Sequence, residues 1–196
     1  MIEAAWNTYV RIPLPWIRTL GPAYWLKQSP WSRHGYLQYS RLTAESYVLR
    51  DALSPFITHE ARFLDVGCNG GRHLRMLELA GATRGHLAGV DIQKLGDHYP
   101  IYCGSFEGVL PMIADRWYTV VFTMGMTIEL VPPSVPICHH MARIANKAVV
   151  LMVHETDVPY PRLWRLEFER EGFTLITYQP PAVLDDLTLF VFERIE

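Results

Sequence analysis

The sequence predicts an α/β fold: a three-layer, doubly wound sheet, mostly parallel, with an antiparallel C-terminal strand and an aromatic-rich N-terminal helical cap. Three observations carry this. From about residue 42 onward, short apolar runs alternate with amphipathic helical stretches, as in βα units with both sheet faces covered. The last two apolar runs, FTLITYQ and LTLFVFERI, have no helix between them, so they pair antiparallel. Residues 1–42 have a different texture: Trp6, Trp16, Trp25 and Trp31, four of the chain's six tryptophans, stand there among prolines.

Each element has its own local reason. Thr43 can cap a helix whose apolar face is Tyr47, Val48, Leu49 and Leu53, ahead of Pro55. ARFLDVG is a short apolar run ending in glycine, which reads as a buried strand. RHLRMLELA follows as a helix that stops at Gly81. HLAGVDI, PIYCGSF and YTVVFTMG read as the second, third and fourth strands. SVPICHHMARIAN is a helix with Pro136 near its first turn, and KAVVLMVHE is a strongly apolar fifth strand. RLWRLEFEREG is an amphipathic helix closed by Gly172. One connection is short: the stretch from Ile92 to Tyr99 has no room for a full crossover helix and is expected to be a turn.

The 196 residues suffice for one domain with a real core, expected over 43–196 and preceded by the cap of 1–42. With 49% hydrophobic and 19% charged residues, a disordered tail, a collagen-like repeat and a disulfide scaffold are excluded. The net charge of −2 supplies no basic field for phosphate backbones, and no basic extension or stacking platform recommends a nucleic-acid partner. Cys68, Cys103 and Cys138 have no metal spacing, and so sparse a set fits a reducing cytoplasm, the expected location. The N-terminus lacks the basic and apolar regions of a signal peptide, and no apolar run reaches the roughly 18 residues of a membrane span. Arg11, Arg18, Lys27 and Arg33 form no cluster, which disfavours docking at a membrane surface.

The strongest chemical signal is Phe63-Leu64-Asp65-Val66-Gly67-Cys68-Asn69-Gly70-Gly71-Arg72. A strand runs into a glycine-rich turn with a helix behind it. Glycine lets a ligand approach the backbone closely, and the helix N-terminus offers free N–H groups. Asp91 ends the next strand, where a carboxylate can accept hydrogen bonds from ribose hydroxyls. A dinucleotide fingerprint would need glycines at 67, 69 and 72; Asn69 and Arg72 stand at two of those positions, which argues against NAD.

The segment resembles motif I of the class I S-adenosylmethionine-dependent methyltransferases, a Rossmann-like family whose pattern is acid-x-Gly-x-Gly-x-Gly. Asp65, Gly67 and Gly71 match, and Asn69 replaces the middle glycine. Asn is the non-glycine residue that best tolerates a left-handed backbone. GVDI resembles the ribose-binding strand end, GSFEGVLP the segment after the third strand, and YTVVFTMG the fourth strand, with Thr119 where the family often has Asp. A weaker resemblance, to small bacterial methylases of pseudaminic-acid and other surface-sugar biosynthesis, rests on GSFEGVLP, VFTMGMTIELVPP and Glu155.

The resemblance implies S-adenosylmethionine as cofactor, S-adenosylhomocysteine as product and a small-molecule or sugar acceptor. It implies cofactor contacts from Asp65, Gly67, Cys68, Asn69, Gly71, Asp91, Ile92, Ser105, Phe106, Thr123 and Met124, with the Cys68 thiol packing rather than reacting. Candidates for a general base at the C-terminal sheet edge are Glu129, His154 and Glu155. His73 is expected to be an exposed or capping residue. His139 and His140 are adjacent on a helix, face different directions and make no metal pair, so no metal is expected. The aromatic N-terminus is open to three roles, as a lid, as packing or as a docking surface. A catalytically silent cofactor-binding module of the same fold is the alternative to an enzyme.

Overall fold

The computed structural model describes residues 41–94, 97–125, 127–156, 158–181 and 187–195. The expected cap of residues 1–42 lies almost wholly outside them. Elements are numbered among the described residues: α1 (Ala44–Leu53), β1 (Phe63–Val66), α2 (Arg72–Leu79), β2 (Leu87–Asp91), β3 (Ile101–Cys103), α3 (Phe106–Val109), β4 (Tyr118–Met124), α4 (Ile137–Ile144), β5 (Ala145–His154), α5 (Trp164–Arg170), β6 (Phe173–Gln179) and β7 (Leu187–Arg194).

The strands form one seven-stranded sheet in the order β3-β2-β1-β4-β5-β7-β6. β1 to β5 pair in parallel. β7 runs antiparallel to both β5 and β6, as expected from the absence of a helical pattern between the last two apolar runs of the sequence. Alternate residues of each strand feed two cores. Leu64, Val66, Val121 and Val149 pack with Met141 of α4 and Trp164 and Phe168 of α5. Phe63, Val120, Phe122 and Val150 pack with Leu49 and Leu53 of α1 and Leu74 and Leu77 of α2. Helices therefore cover both faces, which is why the central strands read as unbroken apolar runs. Each such side chain contributes roughly 1.5–3 kcal/mol on burial.

Helix ends follow their punctuation. Thr43 precedes α1, and its backbone N–H donates to Ser46 Oγ at 3.2 Å. Gly81 takes φ +105° behind α2, and its N–H closes on Glu78 O. Two elements differ from the expectation. β3 keeps only three residues, because Ser105 caps the single turn of α3 by accepting the Gly108 N–H. β5 starts at Ala145, directly behind α4, so the helix ends sooner than its apolar pattern suggested. Among the described residues between β2 and β3 there is no helix, yet the two strands pair in parallel. No helix of the described residues is long and apolar enough to cross a membrane.

Candidate functional site

The parallel strands place Gly67, Asp91, Gly125 and His154 at or just beyond one edge of the sheet, the C-terminal ends of β1, β2, β4 and β5. Ligands of doubly wound folds bind at this edge.

The loop between β1 and α2 is built from backbone geometry. Gly67, Asn69 and Gly71 have φ of +83°, +48° and +78°. The left-handed residue at 69 is thus an asparagine, the substitution that such a position tolerates best. The Asn69 side chain accepts the Gly70 N–H at 2.7 Å, and Gly71 N–H donates to Cys68 O at 2.8 Å. Gly67 and Cys68 both donate to Val90 O, which docks the loop on β2. A Cβ at Gly67 would lie 2.1 Å from Thr127 Cγ2, and one at Gly89 would lie 2.3 Å from the Cys68 sulfur. These two glycines are required by close packing. Cys68 is a buried packing residue, and burial pushes its thiol far up.

Asp91 closes the loop from the other side. Its Oδ2 accepts the Asn69 N–H at 2.8 Å and its Oδ1 the Gln93 N–H at 3.1 Å. Partial burial raises its carboxyl above the ordinary value, and the N–H donors of Asn69 and Gln93 oppose that rise. Each oxygen keeps a second lone pair, enough to accept two vicinal hydroxyls. Ile92 follows, half-buried.

Asp65, two residues before Gly67, is 1% exposed, and neither of its oxygens has a hydrogen-bond partner among the described residues. The ring of His73 of α2 faces it, with Nδ1 3.6 Å from Asp65 Oδ2. His73 is 5% exposed, which corrects its reading as a surface or capping residue. The second residue of α2 faces back over the strand end, and helical periodicity alone does not reveal that.

On the β4 side, Thr123 is buried and its hydroxyl donates to Val66 O at 2.7 Å, tying β4 to β1. Met124 is buried at the strand end. Glu129 is 0% exposed: Oε2 accepts the Thr127 N–H at 3.0 Å and Oε1 the His154 N–H at 2.8 Å. Desolvation pushes its carboxyl up to about 7, against the pull of those backbone donors. Glu129 thereby joins the ends of β4 and β5, and the loop it holds carries Thr127 onto Gly67. Nothing in the sequence singled out Thr127, since a lone Thr in a loop carries no pattern.

The remaining candidates spread out. His154 is half-buried at the end of β5. Glu155, exposed, turns toward the C-terminal strands and accepts from Thr188 Oγ1 at 2.8 Å and Tyr178 OH at 3.4 Å. Ser105 serves as the cap of α3, and Phe106 packs against the core on the α4–α5 side. Among the described residues no group of three or more His, Cys, Asp or Glu gathers as a metal site.

No protein-family model matches the chain. No curated protein matches it in sequence. Solved structures do match in fold. A TehB-like S-adenosylmethionine-dependent methyltransferase from Corynebacterium glutamicum superimposes with a TM-score of 0.64 at 14% identity, covering 90% of this chain and 100% of that one. Magnesium protoporphyrin IX methyltransferase from Synechocystis PCC 6803, with bound S-adenosylmethionine, gives 0.59 at 15% identity over 76% of this chain and 77% of that one. The 1,6-didemethyltoxoflavin-N1-methyltransferase of Burkholderia thailandensis, with bound 1,6-didemethyltoxoflavin and S-adenosylhomocysteine, gives 0.58 at 12% identity over 81% of this chain and 79% of that one. The chain has the Rossmann-like fold of the class I S-adenosylmethionine-dependent methyltransferases.

Proposed function

We propose that this protein is an S-adenosylmethionine-dependent methyltransferase acting on a small-molecule acceptor, a sugar among the candidates. The observation that carries the reading is the Asp91 carboxylate holding the Asn69 N–H at the crest of a left-handed glycine loop. The residues fit the cofactor. Asp91 has lone pairs for both ribose hydroxyls, the enclosed Asp65 carboxylate has unused acceptor capacity near the same loop, and close packing keeps position 67 free of a side chain. The likeness to folds with bound S-adenosylmethionine and S-adenosylhomocysteine supports the same choice. The small-molecule acceptor is supported by the bound 1,6-didemethyltoxoflavin of the Burkholderia protein.

When bound, S-adenosylmethionine supplies an electrophilic methyl group on a sulfonium. The chain's own work is then orientation and proton handling. Asp91 and the loop fix the ribose end. Glu129 keeps the ends of β4 and β5 at a set distance and carries Thr127 against Gly67. An oxygen or nitrogen acceptor that carries a proton passes it to a base at this edge, for which Glu129, His154 and Glu155 are the candidates. Ile92, Ser105, Phe106, Thr123 and Met124 remain the proposed surroundings of the cofactor. The N-terminal aromatic segment is the proposed source of acceptor contacts.

The test is incubation of the full chain with S-adenosylmethionine and a panel of small hydroxylated and amino acceptors, read by mass spectrometry. The expected result is S-adenosylhomocysteine together with an acceptor heavier by one methylene. A second reading, a silent cofactor-binding module, is favoured by the engagement of both Glu129 oxygens with backbone N–H groups. Tight S-adenosylhomocysteine binding with no product from any acceptor would select it.

A further inference from the structure

We infer that His73 is a positioning residue for cofactor binding: its Nδ1 side holds the enclosed Asp65 carboxyl in its orientation under the glycine loop. The inference rests on the cofactor reading above and adds a residue that the motif itself does not contain.

The geometry fixes the imidazole's tautomer. Arg72 Nε–H donates to His73 Nε2 at 3.0 Å, so Nε2 carries a lone pair and the proton of the neutral ring sits on Nδ1. Nδ1 faces Asp65 Oδ2 at 3.6 Å, in ion-pair range and one small adjustment from a hydrogen bond. Arg72, His73 and Asp65 thus form a relay from a guanidinium, through an imidazole, to a carboxylate. Ser46 Oγ of α1 lies 3.5 Å from Nε2, and Arg72 Nη1 also donates to Arg41 O at 3.3 Å. The relay therefore joins β1, α2 and the entry to α1.

Asp65 stands in a site poor in donors, with the Asp91 carboxylate within electrostatic reach of it. Glu45, beside Ser46 on α1, is buried as well. Both Asp65 oxygens are enclosed and have no hydrogen-bond partner among the described residues, so an orienting neighbour counts for more there. His73 is the one group that points an N–H donor at Asp65 among the interactions described. Without His73, no described side chain holds the Asp65 carboxyl in its orientation.

The test separates orientation by the Nδ1 donor from packing. His73→Asn keeps an N–H near the Nδ1 position, whereas His73→Gln keeps a polar group near Nε2 and moves the donor away from Asp65. The S-adenosylhomocysteine affinity of both variants and the wild type is measured by calorimetry, with a circular-dichroism melt of each. The expected result is a loss on the order of tenfold for His73→Gln, the worth of one hydrogen bond to a charged group. His73→Asn should recover toward the wild type although both variants melt alike. Equal losses in both variants, or no loss in either, overturn the inference. Absence of binding by the wild type itself overturns the cofactor reading instead.

Discussion

The Asp91 carboxylate accepts the backbone N–H of Asn69 at 2.8 Å, so the end of β2 holds the crest of the loop that follows β1. The hydrogen bond demands that residue 69 turn its N–H inward, and it does so with φ +48°. Asn69→Gly is therefore expected to be nearly neutral, within about 0.5 kcal/mol. Asn69→Val should lose about 1–2 kcal/mol, because a β-branched residue fits the left-handed region poorly. Chemical denaturation of both variants checks this. Equal stability of the Val variant and wild type would mean that the loop is not held in this conformation.

Thr127 and Gly67 form the tightest contact between the β4 side and the loop. Gly67→Ala meets Thr127 Cγ2 and takes a strained φ, so it should lose roughly 2–3 kcal/mol. Thr127→Ala in the same chain removes the clash but not the backbone strain, and should restore only part of the loss. A double-mutant cycle should show coupling of about 1 kcal/mol. Strict additivity would show that the two residues do not touch.

Glu129 gives a pH signature. Its carboxyl is raised from an ordinary 4.5 to about 7, so between those values the folded chain holds a proton that the unfolded chain has released. The stabilisation from this proton is complete below about pH 4.5 and is lost as pH rises through about 7, up to about 3 kcal/mol in total. Urea denaturation across that window should show the wild type falling relative to Glu129→Gln. A wild type that gains relative to Glu129→Gln as pH rises would mean that the backbone donors outweigh desolvation.

Much of the architecture was legible because the central strands are buried on both faces. FLDV, LAGVD and YTVVFTM announce themselves as apolar runs, and Gly81 and Gly172 mark helix ends by their left-handed backbone. The antiparallel end followed from the lack of a helical pattern between the last two apolar runs. β3 was less legible, since Ser105 is equally plausible in a strand and as a cap, and its hydrogen bond to Gly108 decides for the cap. The site was legible where spacing along one loop defines it, as at Asp65, Gly67, Asn69 and Gly71. It was not legible where residues meet only through packing. His73 reaches Asp65 because α2 folds back over β1, and Thr127 reaches Gly67 because Glu129 binds its backbone amide, in the loop after β4, together with that of His154 at the end of β5.

Calorimetric titration of the full chain with S-adenosylhomocysteine, beside its Asp91→Ala variant, is the most direct measurement of the central claim. The account predicts saturable binding at one site by the wild type. It predicts a loss on the order of a hundredfold in the variant, since Asp91 would hold both ribose hydroxyls as well as the loop. No heat from the wild type, or equal affinity in the two proteins, would contradict it.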